Sequence, residues 1–383
     1  MKLIHLISSL SLLLLIVVGC SPKKTIPYPY PEKGKAYQDY LPAPRIEYDP
    51  RTYVCQRTPP LNLDGKLEES AWQTTVWTSE FVDIEGLAKP APQHATAVKM
   101  LWDDNYFYIG AKLSEPHLWA TLKNRDDIIF WDNDFEVFID PNRDTHEYYE
   151  LEMNALNTVW DLFLIKPYRD GGPALHNLDM AGLQTAVYLE GTLNDPSDID
   201  SCWTVEIAIP WRVLAESAHC DSPPSSGDQW AVNFSRVQWR LSPNTGGYTK
   251  TVDSRTGSHY PEYNWVWSPQ GLINMHYPEM WGLVQFSAAQ AGTNAEEFDV
   301  SPEISARWYL RQVYYQQQNY YRRFGRYSPT LRNLGLQPYL GIDYDGPTVS
   351  GNHSHQFEVS LHASLGKSDL VIDHTGRIIR RSR

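Results

Sequence analysis

From about residue 53 to 287, apolar and polar side chains alternate in short runs separated by Asp, Asn, Gly and Pro. That two-residue period belongs to strands with one face buried. Residues 97–102, the turn Asp103-Asp104-Asn105 and residues 106–111 spell a hairpin. The same period predicts strands at 135–139, 148–153, 159–165, 184–189, 203–209, 230–237 and 283–286, with one helical turn at 210–214. Many short strands punctuated by turns predict a mainly β fold, a two-sheet antiparallel β-sandwich of jelly-roll or immunoglobulin-like type over residues 51–290.

The period changes near residue 300. Ser301 is placed to cap a helix, Pro302 suits its first turn, and Ala306, Leu310, Val313, Gln317 and Phe324 share one helical face before Gly325 stops it. Strands are predicted at 357–365 and 370–379, so residues 300–383 form a small C-terminal α+β appendage, a candidate docking point for a protein partner. Its Arg380, Arg381 and Arg383 tail reads as solvated.

The N-terminal end has a different pattern. Lys2 precedes an apolar run to Val18, and Val17-Val18-Gly19-Cys20 has the form of a lipobox, with Cys20 as the lipidated residue after removal of a signal peptide at 1–19. The run is too short to be kept as a spanning helix. Acyl chains on Cys20 would anchor the protein to a bacterial envelope membrane without crossing it. Residues 20–50, with Pro27, Pro29, Pro31, Pro42 and Pro44, are expected to form an extended lipidated tether. The expected location is the outer membrane, with its periplasmic face ahead of the cell surface because Ser21-Pro22-Lys23-Lys24 lacks an acidic run.

Charge narrows the partners. With 33 basic and 46 acidic residues the net charge is −13, which argues against nucleic acid. Fourteen Trp and 24 Tyr suit both a sandwich core and stacking on sugar rings. Beyond Cys20, the residues Cys55, Cys202 and Cys220 permit at most one disulfide, with the pairing open. No Cys/His metal spacing, Gly-x-Ser-x-Gly elbow, His-Glu-x-x-His or phosphate loop occurs.

Four collinear segments carry a resemblance. They are Leu63-Asp64-Gly65-Lys66-Leu67-Glu68-Glu69-Ser70-Ala71-Trp72; the hairpin with Leu101-Trp102-Asp103-Asp104-Asn105-Tyr106; Asp132-Asn133-Asp134-Phe135-Glu136-Val137-Phe138-Ile139-Asp140; and Trp203-Thr204-Val205-Glu206-Ile207-Ala208-Ile209-Pro210-Trp211, followed by Trp230-Ala231-Val232-Asn233-Phe234 and Trp281-Gly282. Together they resemble the family 9 carbohydrate-binding modules and the wider DOMON-related sandwiches. The resemblance implies a non-catalytic β-sandwich that holds a sugar between two Trp faces, with charged and amide groups on its hydroxyls.

Carried over by position, the binding glutamate is Glu136. The first Trp falls on Phe130, with Trp131 adjacent and taken as the platform. The arginine falls on Glu152, Asn154 matches, and the second Trp falls on Met275, flanked by Asn274 and His276. Trp265 is a further candidate for the clamp. The alternation with Val137 and Ile139 independently turns Glu136 away from the face those two bury.

Asp140, Asn142 and Asp144 have oxygen ligands at alternate positions and form a candidate structural calcium loop. The partner expected overall is an oligo- or polysaccharide, and the expected role is capture during polysaccharide breakdown. A scaffold protein with a decayed sugar site, a haem-binding sandwich using Met275 or His276, and a glycoside hydrolase using Asp134, Glu136, Glu150 or Glu152 are the alternatives.

Overall fold

A computed structural model describes residues 41–218, 222–364 and 368–382. The strands are β1 (Thr52–Arg57), β2 (Val82–Asp83), β3 (Thr96–Trp102), β4 (Tyr106–Ser114), β5 (Asp134–Asp140), β6 (Tyr148–Asn154), β7 (Val159–Leu164), β8 (Ala174–Leu175), β9 (Gln184–Glu190), β10 (Cys202–Pro210), β11 (Gln229–Gln238), β12 (Leu241–Asn244), β13 (Gly247–Lys250), β14 (Tyr263–Val266), β15 (Gly282–Gln290), β16 (Tyr344–Ser350), β17 (Glu358–Ala363), β18 (Asp369–Asp373) and β19 (Ile378–Arg381). The helices are α1 (Ser70–Thr74), α2 (Trp211–Ala218), α3 (Pro302–Phe324) and α4 (Leu331–Leu334). No helix among the described residues is long and apolar enough to cross a membrane.

The fold is mainly β and sandwich-like, as the alternation predicts. One leaf runs β8-β7-β6-β5-β11-β15, and the other runs β3-β4-β10-β9. They enclose one core, in which Val98, Met100, Phe107, Ile109, Val205 and Ile207 meet Phe135, Val137, Ile139, Leu151, Met153 and Phe234. The leaves are joined rather than separate. β1 runs parallel to β15 and then, after an irregularity between Cys55 and Arg57, parallel to β3. Cys55 and Cys202 are both buried and free, while Cys220 lies outside the described residues.

The opening motif and β10 are tied by one side chain. Glu206 accepts the Asp64 and Gly65 main-chain N–H groups at 2.8 and 2.7 Å through Oε2, and the Trp72 indole N–H at 2.7 Å through Oε1. Gly65 sits at φ +88°, and a Cβ there would stand 2.6 Å from the Tyr188 nitrogen. Both the backbone conformation and the close approach therefore require glycine.

α3 has the predicted ends. The Ser301 hydroxyl accepts the Glu303 N–H at 3.2 Å, and Gly325 closes the helix at φ +66°. The segment predicted as one strand at 370–379 is instead the hairpin β18–β19. Asp373 accepts from Thr375 N–H at 2.8 Å and turns the chain there, with Gly376 at φ +89°. β16 to β19 form a four-stranded sheet packed on α3. Arg380 and Arg381 of the tail pair with Glu303 and Glu358, at 3.0 and 2.9 Å.

The tether expectation needs correction from residue 41 onward. Leu41 is buried against α3, the Tyr277 hydroxyl donates to the Pro42 carbonyl at 2.8 Å, and Tyr48 stacks on Trp308 at 4.4 Å. An extended chain has no internal hydrogen bonds, so its backbone and rings are available to the body. Residues 1–40, including the signal peptide and Cys20, lie outside the described residues.

Loss of the Glu206 acceptor leaves two buried donors, Gly65 N–H and the Trp72 indole, unpaired at about 1–3 kcal/mol each, and frees the Asp64 N–H. Glu206→Ala is predicted to cost about 3 kcal/mol or more and to lower the unfolding midpoint by at least about 5 °C. A calorimetric melt unchanged from wild type would contradict this assignment.

Candidate functional site

β5 and β6 create a site on the outer face of their leaf. Phe135, Val137, Ile139, Leu151 and Met153 face the core, which turns Asp134, Glu136, Glu150 and Glu152 outward. Glu136 stands directly opposite Glu152 across the strand pair, and Phe138 opposite Glu150. On the other side Glu136 faces Ser235 of β11.

Glu136, Glu150 and Glu152 form the floor of a cleft of about 350 Å³. Phe130, Trp160 and Tyr168 supply aromatic walls, and Asn274, Met275 and His276 close one side. Glu262, near β14, adds a further acid. Among the described residues that line it, none is Lys or Arg.

The floor is buried, and that sets its electrostatics. Burial pushes the Glu136 carboxyl up to about 7, with the Glu262 charge adding to the rise and the Ser235 hydroxyl opposing it. Burial also raises Glu150 and Glu152, helped in each by Glu136. Asp134 rises for the same two reasons, burial first and Glu136 second. Like charges placed opposite each other on a sheet repel, and no guanidinium enters the cleft to compensate.

The predicted contacts divide clearly. Glu136, Glu152, Asn274 and His276 come together in the cleft. Glu152 also accepts the Phe130 N–H at 3.0 Å, which holds the Phe130 ring at the wall. Of the two adjacent rings, Phe130 lines the cleft and Trp131, the expected platform, does not. Trp131 follows Phe130 on the same 3-10 turn, 51% exposed, with its ring stacked on Phe130 at 5.4 Å and on Trp239 at 6.0 Å.

Asn154 is also displaced from the site. Its amide donates to the Leu122 carbonyl at 2.9 Å and Asp132 at 3.0 Å, and its oxygen accepts from the Leu156 and Thr158 N–H groups. The side chain is spent on shaping the β6–β7 turn. Trp265 belongs to the core: β14 pairs it with Arg236, whose guanidinium lies 5.4 Å from the ring.

The side chains of the candidate calcium loop at 140–144 are engaged within the protein. Asp140 accepts the Arg143 and Thr145 N–H groups at 3.0 and 2.8 Å. Asn142 accepts the Asp144 N–H at 2.9 Å, and Asp144 accepts His146 N–H at 2.8 Å and the Arg377 guanidinium at 2.7 Å. These oxygens build a tight turn in which Arg143 and Thr145 have positive φ. Among the described residues, the carboxylates that converge are Asp134, Glu136 and Glu152.

The cleft loop is clamped from behind. Trp281 donates its indole N–H to the Met275 carbonyl at 2.9 Å, and Arg169 stacks over Tyr277 at 4.0 Å. Glu279 meets Arg169 at 2.9 Å and Arg311 of α3 at 3.6 Å, and it accepts from the Tyr315 hydroxyl. The C-terminal unit therefore braces the cleft loop, a contribution that α3's own sequence does not announce. Tyr168, Glu262 and Trp160 were not foreseen as site residues either; only Trp160 lay on a predicted strand.

Residues 63–233 match the family model described as carbohydrate family 9 binding domain-like. The match runs from the opening motif into β11 and includes all of β5 and β6. A curated relative, endo-1,4-beta-xylanase A of Thermotoga maritima, is 30% identical over 160 residues, which are 40% of this chain. The match spans only 12% of that xylanase. A solved candidate carbohydrate-binding protein of Bacteroides uniformis is 14% identical and is covered completely by 62% of this chain, with a TM-score of 0.46. A family 9 carbohydrate-binding module of Caldicellulosiruptor kristjanssonii, solved with cellotriose, is 16% identical over 64% of this chain and 99% of its own, with a TM-score of 0.40.

His276 gives a test of this packing. Its Nδ1 is 3.0 Å from the Tyr148 hydroxyl and its ring meets Tyr168 edge-on at 4.5 Å. Burial and then the Arg169 charge push its pKa down to about 3. The ring is therefore neutral throughout pH 5–8, and its NMR shifts are predicted to stay flat there. A titration midpoint near 6.5 would mean that the ring is solvated and the cleft wall is built differently.

Proposed function

We propose that the cleft on β5 and β6 is a non-catalytic carbohydrate-binding site. The observation that carries this reading is the combination of a carboxylate floor with aromatic walls, on strands inside the family-matched stretch. Pyranose C–H groups pack on aromatic faces such as Phe130, Trp160 and Tyr168. Glu136, Glu150 and Glu152 accept hydrogen bonds from hydroxyls, and Asn274 can both accept and donate. A glycosidase sets its two carboxyls on either side of the scissile bond. Here three glutamates lie side by side on one floor, an arrangement suited to holding hydroxyls.

In this reading the protein is a lipoprotein held to the outer membrane of a bacterial envelope through Cys20. It captures oligo- or polysaccharide for breakdown by other proteins. The support is the Lys2-led apolar run ending in Val17-Val18-Gly19-Cys20.

Binding is tested by titrating the full chain in detergent with xylan, glucan and pectin oligosaccharides while following Trp fluorescence. A saturable change is expected, weakened at least about tenfold (about 1.4 kcal/mol) by Phe130→Ala or Glu136→Gln and less than about twofold by Trp131→Ala. Silence across the panel from folded protein contradicts the binding reading, and release of reducing ends contradicts the non-catalytic one.

Anchoring has its own test. Palmitate fed to producing cells is expected to label the wild type and not Cys20→Ser. Equal labelling of both, or of neither, contradicts lipidation at Cys20.

A further inference from the structure

Three carboxylates converge where the cleft floor meets the sheet, two of them lining the cleft. Asp134, Glu136 and Glu152 each offer an oxygen within 4.8 Å of the other two. A calcium ion holds its oxygens at about 2.3–2.6 Å, so members of one shell lie no more than about 5 Å apart. The trio fits inside that limit. Clustered acids are common on an acidic protein, and other observations decide what this cluster is for.

Asp134 is fully buried. Its Oδ1 accepts the Val237 N–H at 3.1 Å, while its Oδ2 has no hydrogen-bond partner. A buried acceptor left in this way costs about 1–3 kcal/mol, more for a charged group, unless something fills the coordination. Among the described residues no side-chain cation does so. Arg236, whose charge reaches Asp134, is committed to Glu115 at 2.9 Å, Thr96 at 3.0 Å and Gln238 at 2.9 Å.

The size of the missing partner follows from position. Glu136 and Glu152 line the cleft, but Asp134 does not. A group that touches all three must therefore be smaller than a ring substituent and must sit between the sugar and the sheet. A cationic amine carried by a sugar ring would reach the two glutamates and stop short of Asp134.

We infer that Asp134, Glu136 and Glu152 bind a divalent cation of the calcium type, which completes its shell with vicinal hydroxyls of a saccharide in the cleft; this rests on the carbohydrate-binding reading of the same cleft. Calcium takes roughly six to eight oxygens. Three carboxylates supply about three to six of them, and the remaining places face the cleft. The cation offsets the like-charge repulsion of the floor and gives the hydroxyls a Lewis-acidic anchor. It also supplies, in another form, the positive charge that is absent from the side chains lining the cleft.

The test is calorimetry on the full chain in detergent, stripped of metal with a chelator. Calcium chloride is expected to bind saturably to the wild type, at least about tenfold more weakly to Glu136→Gln and Glu152→Gln, with both variants melting like folded protein. Oligosaccharide affinity is expected to fall at least about tenfold in chelator and to return with calcium. The inference is overturned if folded wild type shows no saturable calcium binding, or if both variants bind calcium as the wild type does. It is likewise overturned if the oligosaccharide binds equally well in chelator. Should no oligosaccharide bind with or without calcium, the carbohydrate reading fails, while the calcium titration of wild type and variants still decides the ion site.

Discussion

The site depends on the strict alternation of β5 and β6. Each strand commits one face to the core between the leaves, so Val137, Ile139, Leu151 and Met153 cannot move without emptying it. A slip of one residue would send the carboxylates into that core. Glu136, Glu150 and Glu152 are thus held on one wall by the packing of their neighbours, despite mutual repulsion and burial that push their protonation upward. The core fixes an arrangement that the acids alone would not adopt.

A second buried carboxylate, a short way off, shows what the floor lacks. Burial pushes the Glu279 carboxyl up, but Arg169 and Arg311 outweigh it and hold the group down at about 2. That is the balance of a structural ion cluster, in which the guanidiniums of Arg169 and Arg311 meet Glu279 and Asp170, with hydroxyls of Tyr315 and Tyr314 on the two acids, joining α3 to the loop that walls the cleft. The floor has several acids and no guanidinium. Two buried acidic sites thus have opposite electrostatics, one closed by guanidiniums and one lined by none among the described residues. The closed one holds the other in shape.

Much of this was readable along the chain. Period-two alternation located the strands of both leaves and turned Glu136 away from the core, and the caps of α3 stood at Ser301 and Gly325. The parts that misled were set by tertiary detail. Phe130 and Trp131 are adjacent on one turn, and the hydrogen bond from Phe130 N–H to Glu152 decides which ring enters the cleft. Asn154 looked like a ligand contact because nothing local shows that its amide closes the next turn. Trp265 lies on a strand whose pairing with Arg236 sets its direction, and that pairing spans distant segments. Tyr168 and Glu262 reach the cleft only because the chain folds back. The proline-rich stretch before Pro50 looked free, although its last ten residues dock on α3 and on the cleft loop.

The central claim is that the outer face of β5 and β6 holds the saccharide. The most direct measurement is a crystal structure of the protein with the tightest-binding oligosaccharide of the panel. The account predicts a sugar ring against Phe130 and Trp160, with hydroxyls directed to the Glu136 and Glu152 floor and the 274–276 loop closing over it. A sugar seated instead on the exposed Trp131 surface, or anywhere away from that floor, would contradict it.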